Sequence, residues 1–272
     1  METTAHDIEQ LLGAMQPITL DEMKSIRLMN RTDRKYVTDT ATLLRLLALA
    51  GSDYRAQVVE GKRVCGYATT YYDFPDEAHS LFRQHATGRR PRTKVRVRTY
   101  VESALTFLEV KQKDNHGKTR KQRIRLSSPE AASGAEGEAF VREAAGIDFH
   151  KLHPAVSNSF SRITLVNRAK TERLTIDFGL RFHSHITGDD TAMPGIVVVE
   201  LKRDGRVPSP ILPILRRLRV KPSGFSKYCI GATVTGSERR TNRFKKRLVK
   251  IRKVAEAHQP PAAVTSATSP TV

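Results

Sequence analysis

Tryptophan is absent, and cysteine occurs only at positions 65 and 229. Cys65 and Cys229 stand far apart, with no metal-like or redox-like spacing partner. That excludes a disulfide scaffold and a zinc ribbon, and leaves two thiols expected to be reduced, as in a cytosolic protein. Long apolar runs are missing too: no stretch approaches the ~18–20 residues needed to span a bilayer. The opening METTAHDIEQ lacks a basic region followed by an apolar run, so it does not read as a secretory leader. Negative charge is scarce, with 28 Asp plus Glu against 47 Lys plus Arg, formally +19. A field of that size attracts polyanions. Composition alone does not separate nucleic acid, an anionic membrane and a phosphate polymer. The lack of a helix-turn-helix, zinc-finger or aromatic RNP pattern speaks against specific nucleic-acid readout. What is present, a hydrophobic fraction of 39% in 272 residues, suffices for one ordinary core.

Local signals predict many strands with helices between them. Thr19 and Glu22 fit a capping box, so the first segment is expected to be helical. A strand follows near 31–37, and Asp39 caps a Leu-rich helix over 43–49 that Gly51 ends. Segments 54–59 and 63–72 read as a hairpin through Glu60-Gly61, and 75–86 as a short surface helix. Strands are predicted near 92–101, 105–113 and 118–126, then a helix over 128–145 weakened by Gly134 and Gly137. Further strands are expected near 159–166, 173–177, 180–185 and 196–203, with a helix over 210–218. Segment 225–234 reads equally as helix or strand. The run 239–253 is basic and helical in pattern, and the tail from 259 has the composition of disorder.

Alternation within the strands carries the functional reading. In Lys94-Val95-Arg96-Val97-Arg98 the cations share one face and the valines the other, because side chains alternate across a strand. Lys121 to Leu126 repeats the pattern with Lys121, Arg123 and Arg125. Glu109, Lys111 and Lys113 stand together opposite Leu108 and Val110. Arg173 to Asp177, Glu200 with Lys202, and Arg31 to Lys35 behave alike. For any single strand, a sheet with one wet face explains this. Taken together, cations at every second position of neighbouring strands would repel across a flat sheet. An antiparallel β-barrel in an α+β fold, apolar outside under peripheral helices and charged inside, accommodates both faces. Such a lumen calls for a polyanion to compensate it. The carboxylates Asp33, Glu109, Asp177 and Glu200 on the same faces read either as arginine partners or as ligands of Mg²⁺ or Mn²⁺.

Six segments then occur in the order seen in VTC domains: 31–36 (RTDRKY), 70–73 (TYYD), 94–98 (KVRVR), 107–111 (FLEVK), 199–202 (VELK) and 224–228 (GFSKY). The chain therefore resembles the polyphosphate polymerase modules of the triphosphate tunnel metalloenzymes, of the bacterial stand-alone type. The superfamily's first-strand ExExK reads Arg31-Thr32-Asp33-Arg34-Lys35 here. The resemblance implies a triphosphate tunnel over 30–235, between an N-terminal helical segment over 1–29 and a basic helix over 236–258, with a disordered tail over 259–272. It implies ATP and polyphosphate as ligands, and transfer of the γ-phosphate of ATP to a growing chain. Lys35, Arg96, Arg98 and Lys227 would act at the reacting phosphates. Lys94, Lys111, Lys113, Lys121, Arg123, Arg125, Arg162, Arg173 and Lys202 would hold phosphates. Glu200 and Glu109 would bind the divalent metal, Mn²⁺ or Mg²⁺.

The expected location is cytoplasmic or peripheral at the inner face of the membrane, with a separate membrane protein supplying any export channel. Two other readings stay open: a tripolyphosphatase or nucleoside triphosphatase of the same fold, and a non-catalytic polyanion or nucleic-acid binder. His183 and His185 alternate on a strand and read as surface histidines rather than metal ligands, and Tyr71 and Tyr72 as packing near the barrel rim. The run 239–253 reads as a solvated helix, or as a dock for an acidic membrane surface or long polyphosphate.

Overall fold

The alternating segments pair into one large sheet whose two faces differ in chemistry. The computed structural model describes residues 2–24, 26, 31–238 and 241–257. Helices are α1 (Glu2–Gly13), α2 (Leu20–Lys24), α3 (Thr40–Ala50), α4 (Leu81–Thr87), α5 (Ala135–Ala145), α6 (Ile211–Arg217), α7 (Lys227–Val234) and α8 (Lys245–Glu256). Strands are β1 (Gln16–Ile18), β2 (Arg31–Asp39), β3 (Tyr54–Gln57), β4 (Val64–Asp73), β5 (Arg92–Tyr100), β6 (Leu105–Lys113), β7 (Thr119–Leu126), β8 (His153–Asn167), β9 (Glu172–Ser184), β10 (Asp190–Met193) and β11 (Ile196–Asp204). The tail expected to be disordered, 259–272, and Arg239 and Arg240 of the basic run lie outside the described residues.

The 11-stranded sheet follows the path β2-β11-β9-β8-β4-β5-β6-β7, with β1, β3 and β10 attached beside it. Every step of the path is antiparallel. Among the described residues β2 and β7 end the path without pairing, so the expected barrel is not closed by hydrogen bonds. The sheet is curled nonetheless. Lys94 on β5 lies in the field of Lys35 on β2, and Lys111 on β6 in that of Glu200 on β11, across intervening strands. The curl answers the charge problem of the sequence: it turns one face inward and leaves the other for helices.

Three larger cores and a small cluster of Ile18, Met23 and Val166 hold the sheet and helices together. On the convex face, Leu174, Ile176, Val197, Val199 and Leu201 pack under α1, α3 and α6. Further along, Val95, Val97, Leu108 and Val110 pack under α5 and its neighbouring turns. The concave face is charged for part of its length and then turns apolar. Val37, Phe160, Leu180, Phe182 and Val198 meet Phe225, Tyr228 and Ile230 of the α7 region and Ile251 of α8. Thus α7 and α8 close one end of the hollow.

Local chemistry explains most boundaries. Thr19 and Glu22 form the capping box that starts α2, the Glu22 carboxylate accepting from Thr19 N at 2.8 Å. Asp39 caps α3 by accepting from Thr42 N at 2.8 Å. Several expectations shift. Glu60 and Gly61 do form a tight turn with positive φ, but the pairing ends at Val59–Lys62: β3 pairs with β1 and β8 instead of β4. The surface helix expected over 75–86 begins only at Leu81, because Asp73 accepts the N–H groups of Leu81 and Phe82 and Ser80 accepts from Arg83 N. Segments 173–177 and 180–185 are one strand, with a register shift where Ser161 meets Phe178. The ambiguous segment 225–234 contains a helix, α7, because Ser226 caps it. Gly231 lets α7 lie directly on β9, since a Cβ there would stand 2.6 Å from the Phe182 ring.

Candidate functional site

Register fixes which side chains share the hollow. Lys94, Arg96 and Arg98 stand opposite Lys111, Glu109 and Phe107 of β6, which in turn face Lys121, Arg123 and Arg125 of β7. Lys113, at the end of β6, belongs to the same face beside Arg92. On the other wing, Asp33 and Lys35 pair with Lys202 and Glu200 of β11, and these pair with Arg173 and Thr175 of β9. Arg162 of β8 pairs with Asp177 of β9. Tyr67, Thr69 and Tyr71 of β4 join the two wings. The fold therefore gathers all the phosphate-binding candidates onto one concave face, and α7 adds Lys227 from the closed end.

Two carboxylates organise the cations. Glu109 is buried and accepts from Arg96 at 2.7 Å through one oxygen and from Lys121 at 2.5 Å through the other. Burial pushes its carboxyl up, but Arg96 and Lys121 outweigh that and bring it to about 2. Asp177 accepts a two-pronged contact from Arg162, at 2.5 and 2.8 Å, and a further one from Lys227. Burial opposes its ionisation, yet Lys227 and Arg162 hold it below the usual carboxylate range. Lys227 is brought down to about 8 by burial against the pull of Asp177, and its ammonium lies 4.1 Å from the Phe160 ring centre. The remaining cations are less neutralised. Lys35 donates to Phe225 O at 3.0 Å and Lys94 to Ser226 Oγ at 3.1 Å, which ties the chamber wall to the start of α7. Arg98 is buried and donates to Thr69 Oγ1 at 3.1 Å; burial and the neighbouring Arg96 lower it to about 10. Arg123 lies over the Phe107 ring at 4.4 Å. Burial lowers Lys202 to about 8, and Arg173 Nε is buried without a hydrogen-bond partner.

Carboxylates that could serve a divalent cation are few in the hollow. No group of three or more His, Cys, Asp or Glu among the described residues could hold a metal by itself. Glu109 has both oxygens engaged by cations, Arg96 on one and Lys121 on the other, so a metal there would share the carboxylate with two charge-assisted bonds. Glu200 fits. Its nearest cation is Lys202 at 3.8 Å, and despite burial Lys35 and Lys202 keep it ionised. Thr175, opposite Glu200 in register, carries a buried hydroxyl without a partner. One carboxylate with open oxygens is what Mg²⁺ or Mn²⁺ takes when phosphates complete its shell.

Features outside the chamber are of mixed charge. A cavity of about 710 Å³ beside α4 is lined by both signs of charge, Asp73, Asp76, Glu77 and Glu238 with Arg83 and Arg243. His183 holds Asp190 at 3.1 Å on the surface. Sequence reasoning left Asp177 undecided and placed Tyr71 at the rim; Asp177 is an arginine and lysine partner, and Tyr71 is buried among the chamber cations. The register places Tyr71 opposite Arg96, on the face the alternation had identified, but the sequence alone carried no signal for it.

The VTC domain family model matches residues 30–235, and the chain belongs to that family. No curated protein matches the sequence. Among solved structures, the Hippeastrum protein HpAC1, described with a dominant triphosphatase activity, shares 11% identity over 79% of this chain and 99% of its own, with a TM-score of 0.44. The PH1012 protein of Pyrococcus horikoshii shares 10% over 72% of this chain and 96% of its own, at 0.40. The RNA triphosphatase Pct1 of Schizosaccharomyces pombe shares 9% over 93% of both chains, at 0.30. At this identity the likeness is one of fold alone.

Proposed function

We propose that this VTC-domain chain transfers the γ-phosphate of ATP to the end of a growing polyphosphate inside the curled sheet. The observation that supports it most is the convergence of cations from both wings and from α7 on one hollow, with only part of their charge neutralised. Phosphoryl transfer needs mainly positioning and charge neutralisation. Arg96, Arg98 and Arg162 offer planar forks that orient phosphate oxygens, and Lys35, Lys94 and Lys111 offer point charges along the chain's path. Glu109 and Asp177 hold the forks in place, so little reorganisation accompanies binding. Lys227 enters from the closed end, where the reacting phosphates would sit. Glu200 would hold the divalent metal, which when bound supplies charge neutralisation to the phosphate oxygens.

A terminal phosphate as acceptor gives polymer, and water gives hydrolysis. Incubation with ATP and Mn²⁺ or Mg²⁺, with and without a short polyphosphate primer, separates them when ADP, free phosphate and polymer are followed together. ADP matched by polymer supports the polymerase. Free phosphate without polymer makes the protein a triphosphatase, and absence of turnover makes it a binding protein or an enzyme lacking a partner. No described helix is long and apolar enough to cross a membrane. Export of the polymer by a separate membrane protein is part of the same proposal.

A further inference from the structure

Tyr71 is 4% exposed and sits where the charged wall meets the apolar cluster under α7. Its strand neighbour in register is Arg96 on one side and the apolar Val156 on the other. From β5 it faces Lys94, Arg96 and Arg98, and from α7 it faces Lys227. Arg96 is already tied to Glu109, and Lys227 to Asp177. Lys94 and Arg98 have no carboxylate within ion-pairing distance among the described residues; their hydrogen bonds go to Ser226 and Thr69 hydroxyls. The Tyr71 ring cannot swing away from them. It stacks on Tyr228 with centroids 5.0 Å apart, and Tyr228 is fixed in turn by donating to the buried Asp73.

We infer that the Tyr71 hydroxyl is a phosphate contact of the chamber, which donates to an oxygen of the bound polyanion between Arg98 and Lys227. This rests on the polyphosphate reading above. Without a ligand, four cations, of which Lys94 and Arg98 lack a carboxylate partner, surround the phenol and favour its phenolate. Burial alone pushes the phenol up, but Arg96, Arg98, Lys94 and Lys227 outweigh it and bring it down to about 8. A polyanion in the same place neutralises those cations and presents acceptor oxygens, so the phenol keeps its proton and donates it. Tyr54, Tyr67, Tyr72 and Tyr228 are all shifted the other way, mainly by burial, so this ionisation stands apart from theirs.

The test is the near-ultraviolet phenolate absorbance of the full chain in chelator, titrated with and without tripolyphosphate. Absorbance is chosen because Lys227 and Lys202 also titrate near 8 and would blur a pH profile of binding. The free protein should show one tyrosine ionising near 8, and tripolyphosphate should raise that step by about one pH unit or more. Tyr71→Phe should remove the step and weaken tripolyphosphate binding about ten-fold or more. A step that survives in Tyr71→Phe overturns the assignment. So does a wild-type step left unmoved by tripolyphosphate that calorimetry shows to be bound, and this arm needs no variant to fold. If tripolyphosphate does not bind the wild type at all, the polyphosphate reading itself fails and takes this contact with it.

Discussion

Replacing Asp177 by Asn keeps the shape of a buried side chain and removes the charge that ties two cations together. Asp177 is 4% exposed, and its partners Arg162 and Lys227 have side chains only 15% and 11% exposed. Orphaning buried charge in this way costs about 3–5 kcal/mol. Relief comes from the rings beneath the cations, since Arg162 lies 4.7 Å from Tyr67 and Lys227 4.1 Å from Phe160, each contact worth about 0.5–2 kcal/mol. The expected loss is therefore about 3 kcal/mol, at the low end of that range. Polyanion binding should move the opposite way. One negative charge removed at about 10 Å in an effective dielectric of about 20 favours an anion by on the order of 1–2 kcal/mol per phosphate charge. Urea unfolding of wild type and variant, with and without metal-free tripolyphosphate, reads both effects. Mildly acidic buffer keeps Lys227 charged once its partner is gone. The stability recovered on adding tripolyphosphate should be larger in the variant. A loss below about 1 kcal/mol would make Asp177 an ordinary surface acid. Weaker tripolyphosphate binding by a folded variant would refute its assignment as a cation organiser.

Other outcomes follow from the same geometry. Glu109, held at about 2, contributes stability that is complete above the ordinary carboxylate value near ~4.3 and is lost as pH falls from there towards 2. Acid unfolding followed by circular dichroism should show that loss in wild type and not in Glu109→Gln, which starts less stable. Tripolyphosphate affinity should fall as pH rises through about 8, where Lys227 and Lys202 lose charge. Lys227→Arg should retain part of that affinity in calorimetry at higher pH. Glu200→Gln should abolish metal-dependent turnover while metal-free tripolyphosphate still binds; unchanged turnover would remove Glu200 from the reaction. Gly231→Val should cost about 1–3 kcal/mol in thermal or urea unfolding, because its side chain drives α7 off Phe182.

The charged face was legible in the sequence because its signal has the period of a strand. Lys94, Arg96 and Arg98, or Lys121, Arg123 and Arg125, declare a common side without any knowledge of partners, and the registers place them together. The convex core was legible for the same reason. Elements fixed by long-range contacts were not. Whether 225–234 is helix or strand turns on the Ser226 cap and on the close approach of Gly231 to Phe182, which the local pattern does not reveal. The Glu60-Gly61 turn was visible, but the choice of β8 over β4 as partner of β3 depends on strands a hundred residues away in the chain. Glu109 fits either role in the sequence, since a carboxylate among cations can bind them or a metal; the distances show it bonded to Arg96 and Lys121. Tyr71 was hidden by its neighbours, since a run of two tyrosines gives no clue to which one faces inward.

Calorimetry of metal-free tripolyphosphate with charge-removing variants at two places tests most directly whether the hollow, rather than net charge, binds phosphate. Arg96→Gln with Arg98→Gln removes two cations from the concave face, and Lys245→Gln with Lys246→Gln removes two exposed ones from α8. Each pair lowers the formal charge equally. Binding should collapse in the first pair and persist in the second. Equal weakening in both, or loss only in the α8 pair, would show that phosphate is held by the basic surface and would contradict a phosphate-binding chamber.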